Sequence, residues 1–208
     1  MKNVLILSGS PRLNGNSDLF CNEFMRGAQE AGHEVEKIRV ATKKIGYCRA
    51  CYFCRDHEGQ CAVRDDMAEI LEKMLKADVI VLASPLYFYS VDAQLKTVID
   101  RTVARWLEFH NKEFYYIMSA AENTDTVMDT TLACLRGLAD CLDGSVERGV
   151  IYGKGVYEKG EIKDHPAMQQ AYEMGKSVND KAIRYQIIRR SVPFPFRTTT
   201  MYCSLLNC

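Results

Sequence analysis

The hydrophobic positions form short aliphatic runs that alternate with longer amphipathic stretches. Residues 4–7 and 78–84 are almost entirely aliphatic, which is typical of strands buried on both faces. Residues 17–31 and 66–75 instead carry apolar side chains at helical spacing, which predicts two helices. The same criteria predict strands at 34–40, 114–118 and 145–152, and helices at 92–106, 126–142 and 166–190. This alternation predicts a parallel sheet with helices on both faces.

Capping residues indicate where three of the helices begin. Ser17 is a candidate N-cap for the first helix, since hydroxyl side chains accept from free N–H groups there. Asp66 followed by Glu69 has capping-box spacing. Ser90 or Asp92 caps the next helix. These signals support the predicted strand–helix alternation.

The sequence predicts one α/β domain over residues 1–190, followed by a C-terminal arm at 191–208. Pro193 and Pro195 interrupt any helix in that arm, which we expect to pack on its own domain or on a partner subunit. Five strands fit a doubly wound parallel sheet of order 2-1-3-4-5. In this order, ligands bind beyond the carboxyl ends of the first and third strands.

The segment after the first strand is rich in groups that bind phosphate. It connects a buried strand to a helix N-terminus, where N–H groups lack intrahelical partners and the helix dipole is positive. It contains neither a Gly-Lys-Ser/Thr nor a G-x-G-x-x-G motif, which excludes two familiar nucleotide loops. An ordinary polar turn is the alternative to a site for one terminal phosphate. The predicted contacts are Ser8, Ser10, Pro11, Arg12, Asn14, Asn16 and Ser17.

The pattern Ser-Gly-Ser-Pro-Arg-x-x-Gly-Asn-Ser at residues 8–17 resembles the FMN phosphate loop of the flavodoxin-like NADPH-dependent FMN reductase and iron–sulfur flavoprotein families. The resemblance extends over residues 1 to about 180 and is most specific at 8–17, 48–61 and 84–101. It implies a flavodoxin-like fold, FMN as cofactor and NAD(P)H as cosubstrate. It also implies a homodimer or homotetramer.

A run of aromatic residues follows the third strand, in a predicted loop at the same sheet edge. Because this run matches the Ser-Pro-x-Tyr loop of the resembled families, the resemblance implies contacts with the isoalloxazine ring. Ser119, in the loop after the next strand, is expected to approach the ring as well. An aromatic run that packs in the core is the alternative. The residues of the predicted ring platform are Pro85, Leu86, Tyr87 and Phe88.

Four of the nine cysteines, Cys48, Cys51, Cys54 and Cys61, fall within fourteen residues. Three thiols spaced three residues apart are typical of a loop around an iron–sulfur cube. Similarity to iron–sulfur flavoproteins implies a 4Fe-4S cluster with Cys61 as the fourth ligand. Two alternatives stay open: metal-free thiols made reactive by neighbouring arginines, and a zinc site.

Composition excludes several functional classes. Lys+Arg and Asp+Glu both number 27, and zero net charge argues against general binding to nucleic acid or anionic membranes. No apolar stretch approaches a membrane span or a signal peptide, so a cytoplasmic location with reduced thiols is expected. The sequence contains no Ser/His/Asp, paired-carboxylate or HExxH arrangement that would support hydrolysis.

The sequence therefore predicts an FMN-dependent oxidoreductase that passes electrons from NAD(P)H through FMN to an acceptor, either a small molecule or a protein. No side chain is assigned a catalytic role, because a flavin carries this chemistry itself. One alternative is a non-enzymatic electron-transfer flavoprotein with a 4Fe-4S cluster, fed by a ferredoxin-like donor. The other is a thiol or zinc sensor on a flavodoxin-like scaffold.

Overall fold

The structure is a computed structural model that describes residues 1–178. Its strands are β1 (Asn3–Ser8), β2 (Glu34–Arg39), β3 (Val79–Tyr87), β4 (Ser90–Val91), β5 (Glu113–Ser119) and β6 (Val146–Gly153). Its helices are α1 (Asn16–Glu30), α2 (Met67–Lys76), α3 (Ala93–Arg101), α4 (Asp129–Asp140) and α5 (Ala167–Lys176). No helix within residues 1–178 is long and apolar enough to cross a membrane.

Five of the strands form a parallel sheet in the order β2-β1-β3-β5-β6. The predicted 2-1-3-4-5 order is therefore confirmed. The sheet has a sixth strand, β4, which pairs antiparallel with the end of β3 through Leu86↔Val91 and Tyr87↔Ser90. This small hairpin was absent from the prediction, because its pairing extends over only two residues.

The central strands bury both faces, as their aliphatic runs predict. In β1, Val4 and Ile6 pack with α1 and α5, whereas Leu5 and Leu7 pack with α2, α3 and α4. Side chains alternate between faces along a strand, so a continuous apolar run supplies both layers. The core therefore lies in two layers, one on each side of the sheet.

The N-terminal caps of two helices differ from the sequence prediction, and a third agrees with it. The N-cap of α1 is Gly15, so Ser17 lies inside the first turn. Asp66 makes no side-chain cap at α2; instead Asp65 Oδ1 accepts from the N–H of Met67 at 3.1 Å. The cap predicted at Asp92 is confirmed, since its side chain accepts from the N–H of Leu95.

The last helix is shorter than predicted. It ends at Lys176, where Ser177 Oγ donates to the carbonyl of Met174 at 3.0 Å and the N–H of Val178 donates to Gly175. The N–H of Ser177 still donates to Glu173, and the tighter bond of Val178 ends the helical pattern. The predicted continuation to residue 190 and the arm at 191–208 fall outside the described residues.

Candidate functional site

The predicted phosphate and ring segments meet at the centre of the sheet. Strands β1 and β3 are neighbours, with Ser8 opposite Ala83. Immediately beyond, the N–H of Gly9 donates to the carbonyl of Ala83 at 2.9 Å. The carboxyl ends of both strands therefore lie at the position where doubly wound sheets bind ligands.

The first turn of α1 leaves backbone donors free for an anion. The first intrahelical bond joins the N–H of Leu19 to the carbonyl of Gly15 at 2.9 Å, so the N–H groups of residues 16–18 precede it. Gly15, at the N-cap, has no side chain to occupy these donors. The hydroxyl of Ser17 is buried and has no hydrogen-bond partner within the described chain. An uncapped helix N-terminus with a buried, unpartnered hydroxyl has the chemistry that a phosphate group requires.

Asp18 holds the phosphate loop in place through buried hydrogen bonds. This residue is 1% exposed, and its carboxylate accepts from the backbone N–H of Asn14 at 3.0 Å and from Ser8 Oγ at 3.3 Å. Lys37 Nζ lies 2.9 Å away and balances its charge. Asn14 adopts a left-handed φ of 55°, which the bond to Asp18 helps to hold. The bond from Lys37 depends on the β1–β2 pairing, so no short-range signal in the sequence indicates it.

Two predicted phosphate donors contact the segment after β6. Asn16 Nδ2 donates to the carbonyl of Glu158 at 3.0 Å, and Asn16 Oδ1 accepts from the N–H of Gly160 at 3.1 Å. Arg12 Nη1 donates to the carbonyl of Tyr157 at 3.3 Å. The Asn16 amide therefore fastens this segment beside the loop. Ser10, which is 3% exposed, lies within the same loop.

A buried carboxylate lies where the phosphate loop meets β3. Asp92 has no exposed surface, and its Oδ2 lies 2.8 Å from Ser84 Oγ. Burial raises the pKa of Asp92 above its usual value, although hydrogen bonds from Leu95 N–H and Ser84 oppose the change. An ideal Cβ on Gly9 would lie only 2.1 Å from Asp92 Oδ2. Asp92 therefore bonds the end of β3 to the start of α3 and lies against Gly9 at the end of β1.

The aromatic segment forms a hairpin instead of the predicted loop. Pro85, Leu86 and Tyr87 belong to β3, and Phe88 and Tyr89 make the turn with left-handed φ angles of 50° and 58°. Pro85 and Leu86 are half-buried and the next three side chains are exposed, Phe88 completely so.

The hairpin is fastened to its surroundings at the turn. Thr130 Oγ1 donates to the carbonyl of Tyr89, and the Tyr89 hydroxyl donates to Glu122. Ser119 pairs with Pro85 across the sheet, so the predicted ring-binding residues lie along one edge.

The four clustered cysteines lie on a separate loop between β2 and α2. Cys48, Cys54 and Cys61 are half-buried and Cys51 is exposed. Burial raises the pKa of Cys54, and the neighbouring Cys61 and Cys48 raise it further, so these three thiols lie near one another. Within residues 1–178, no three His, Cys, Asp or Glu side chains are arranged to hold a metal ion. Four thiols have the donor chemistry of either an iron–sulfur cluster or a zinc ion, but in the described residues they are not arranged as ligands.

The loop packs on the segment that follows α3. The rings of Phe53 and His57 stack with centroids 3.6 Å apart. An ideal Cβ on Gly59 would lie 2.7 Å from Arg105 Cγ, so only glycine fits against that side chain. The loop residues Ala50 and Tyr52 have left-handed φ angles of 49° and 55°, an uncommon conformation for residues with a Cβ.

Curated relatives similar to this chain include iron–sulfur flavoproteins of archaea. One from Methanocaldococcus jannaschii is 46% identical over 99 residues, which are 48% of this chain and 51% of the relative. One from Archaeoglobus fulgidus is 44% identical over 101 residues, 49% of this chain and 45% of the relative. The chain therefore matches about half the length of these proteins.

Solved structures agree on the flavodoxin-like fold. An FMN-dependent NADH-azoreductase from Bacillus anthracis, solved in complex with FMN, has a TM-score of 0.67 at 17% identity, covering 86% of this chain and all of its own. An NAD(P)H:quinone oxidoreductase from Methanothermobacter marburgensis has a TM-score of 0.65 at 16% identity, covering 87% and 98%. The family model of NADPH-dependent FMN reductases matches residues 2–139. This chain is therefore a member of the NADPH-dependent FMN reductase family.

Proposed function

We propose that this chain is an FMN-dependent oxidoreductase that passes electrons from a reduced nicotinamide through FMN to an acceptor. The observation that carries the proposal is the uncapped N-terminus of α1, with the buried and unpartnered hydroxyl of Ser17 beside it. FMN supplies the redox chemistry, because flavins exchange both hydride and single electrons. The protein's part is to bind, orient and partly cover the cofactor.

The side chains divide this task between two segments. In the proposal, Ser10, Ser17 and the free N–H groups of α1 hold the phosphate. The β3–β4 hairpin, from Pro85 to Phe88, supplies apolar surface to the ring, and Ser119 lies at the adjacent strand end. Asn16 and Arg12 act indirectly, because their side chains fix the segment after β6 beside the loop.

A binding measurement tests this assignment. Ser17→Ala removes the unpartnered hydroxyl, and we expect FMN affinity to fall roughly tenfold, as the loss of one charge-assisted hydrogen bond implies. Ser145→Ala is the matched control, because Ser145 Oγ is also buried without a partner. Ser145 precedes the amino end of β6, whereas the candidate site lies at the carboxyl ends of the strands. FMN fluorescence quenching measures both affinities. A wild-type protein that binds no FMN would contradict the proposal.

A second candidate function is electron transfer through a 4Fe-4S cluster in the cysteine loop. Two observations favour it: four cysteines lie in one loop, and relatives at 37–46% identity are named iron–sulfur flavoproteins. In this proposal Cys48, Cys51, Cys54 and Cys61 are the ligands, and their side chains rearrange from the positions described above. Thiolates are the common ligands of such clusters.

Iron and acid-labile sulfide, measured per FMN on protein purified without oxygen, test the second candidate. We expect about four irons per flavin, as a 4Fe-4S cluster requires. Cys54→Ser should remove them, whereas Cys141→Ser, at an exposed thiol outside the loop, should not. Flavin without iron would leave a reductase whose clustered thiols have another role.

A further inference from the structure

Arg101 is the largest fully buried side chain among residues 1–178, with 2% of its surface exposed. It lies at the last position of α3, outside both the phosphate loop and the hairpin. Burying a guanidinium is unfavourable unless its charge and its N–H groups find partners. The positions of those partners indicate what the residue does.

Four of the five guanidinium donors bind the two ends of the cysteine loop. Nη1 donates to the carbonyl of Gly46 at 2.6 Å and to Asp65 Oδ2 at 2.8 Å. Nη2 donates to the carbonyl of Val63 at 3.1 Å and to Asp65 Oδ1 at 3.1 Å. Gly46 precedes the first clustered cysteine, and Val63 and Asp65 follow the last. One side chain therefore closes the loop at its base.

Asp65 joins the same two ends from the other side. Its Oδ2 also accepts from the N–H of Gly46 at 2.8 Å, and its Oδ1 accepts from the N–H of Met67 at 3.1 Å. Burial acts to raise the pKa of Asp65, but the hydrogen bonds from Arg101, Gly46 and Met67 outweigh it and lower the pKa. The carboxylate is therefore ionised at neutral pH and neutralises Arg101.

Arg101 Nε is buried and has no hydrogen-bond partner in the described part of the chain. Burial lowers the pKa of Arg101, while the neighbouring side chains of Asp65 and Cys61 raise it above the usual value. The charged guanidinium therefore lies close to Cys61 as well as to the two ends of the loop.

We propose that Arg101 is a positioning residue that fixes both ends of the cysteine loop and thereby sets the position of Cys61 within it. The inference rests on the proposed function in one respect: it assumes that the thiols of the cysteine loop take part in the chemistry of the protein. The contacts to Gly46, Val63 and Asp65 hold the loop closed whether or not a metal binds. Arginine is required because its planar fork reaches both ends at once, which a lysine ammonium does not.

Hydrogen exchange and thiol alkylation on the full chain, as purified, test the closure of the loop. In Arg101→Lys, which keeps the positive charge beside Asp65, we expect exchange over residues 46–63 and alkylation of Cys61 to accelerate about tenfold, as the loss of about 1.4 kcal/mol of hydrogen bonding implies. Alkylation of the exposed Cys141 serves as the internal standard. Arg64→Gln, which removes an exposed cation between Val63 and Asp65, should leave both rates unchanged. Unchanged rates in Arg101→Lys would overturn the proposal.

A double-mutant cycle tests the paired hydrogen bonds between Arg101 and Asp65 that close the loop. The unfolding equilibria of wild type, Arg101→Lys, Asp65→Asn and the double variant should show at least fivefold coupling, as expected for a direct hydrogen bond. The pair Arg101→Lys with Cys141→Ser should be additive. Additivity of the first pair would overturn the closure of the loop by these two residues.

Iron and FMN measured on the same samples separate this proposal from the proposed function. A wild-type protein without iron or flavin would contradict the proposed function, while the exchange rates would still decide the role of Arg101. Conversely, the wild-type protein could contain full iron and flavin while Arg101→Lys leaves the exchange and alkylation rates of the loop unchanged. That result would contradict only the positioning role.

Discussion

Gly9 and Asp92 show how little room a single residue has at the candidate site. An ideal Cβ on Gly9 would lie 2.1 Å from Asp92 Oδ2 and 2.5 Å from Oδ1. That carboxylate is fixed by Ser84 and by the cap it makes on α3, so it cannot move aside without breaking these bonds. Glycine is therefore required where the phosphate loop leaves β1.

Gly9→Ala tests this close approach. We expect the free energy of unfolding to fall by about 1–3 kcal/mol, as overpacking of a filled site does, and FMN affinity to fall because the phosphate loop is displaced. Urea denaturation and FMN titration measure the two effects. A variant with unchanged stability and affinity would show that the loop has more freedom than the structure indicates.

The pH dependence of stability tests the buried carboxylate. Burial raises the pKa of folded Asp92 above its ordinary value of 3.8, so between those two values the folded state binds more protons than the unfolded state. The stabilising contribution of the protonated group is therefore complete below pH 3.8 and is lost as pH rises through the raised pKa. We expect Asp92→Asn to gain stability relative to wild type as pH increases through this window.

Urea denaturation at several pH values measures this difference. Asp65→Asn provides the opposite case, because the pKa of folded Asp65 is lowered. Its contribution to stability is present above the ordinary pKa of 3.8 and is lost as pH falls through the lowered value. A stability difference between Asp92→Asn and wild type that is constant with pH would contradict the assignment to Asp92.

At the scale of elements, helices α1 and α5 pack unusually closely through two glycines. An ideal Cβ on Gly27 would lie 2.1 Å from the carbonyl oxygen of Tyr172, and one on Gly175 would lie 2.1 Å from that of Phe24. The two helix backbones therefore touch, and this contact covers one face of the sheet. It also holds α1, whose N-terminus forms the candidate phosphate site.

Gly27→Ala should separate these helices. We expect a loss of about 1–3 kcal/mol in the free energy of unfolding, since the new methyl group meets backbone rather than a flexible side chain. Gly137→Ala is the matched control, because Gly137 also lies inside a helix but its Cβ would meet nothing within 4 Å. That substitution should stabilise the protein by about 0.5–1 kcal/mol. Equal effects at both positions would contradict the role of close packing.

At the scale of the whole molecule, apolar side chains are exposed around the cysteine loop. Tyr47 is 75% exposed on the loop side, and Leu107 is 58% exposed on the segment that the loop packs against. Tyr52, Phe53 and Trp106 are each between 37% and 39% exposed. Exposed apolar groups in one region favour association with another protein surface, and the family resemblance implies a homodimer or homotetramer.

We predict that the purified chain self-associates through this surface. Light scattering coupled to size exclusion should give a mass above the 23.6 kDa of one chain. Leu107→Lys should shift that mass toward the monomer, because a charge in an apolar interface is unfavourable. Val146→Lys, at a 41% exposed position on the outer strand β6, should not. A monomeric wild-type protein would contradict the prediction.

Much of the fold could be predicted because the relevant signals are local. The aliphatic runs of β1 and β3 and the helical spacing of α1 and α2 each lie within a few residues, and Asp92 caps α3 as its position indicates. The β3–β4 hairpin was missed because Pro85 and the following aromatics are also typical of a loop. Only pairing with residues 90–91 makes them a strand.

The sequence by itself determined the α/β alternation, the strand order and the resemblance of residues 8–17 to an FMN phosphate loop, because these depend on residue types at short spacing. Only the tertiary structure decided how the polar side chains are used. Asn16 binds a segment about 144 residues away, and Arg101 closes a loop through Gly46, 55 residues away. Such pairings leave no periodic signal in the chain, since they arise when the sheet brings distant segments together.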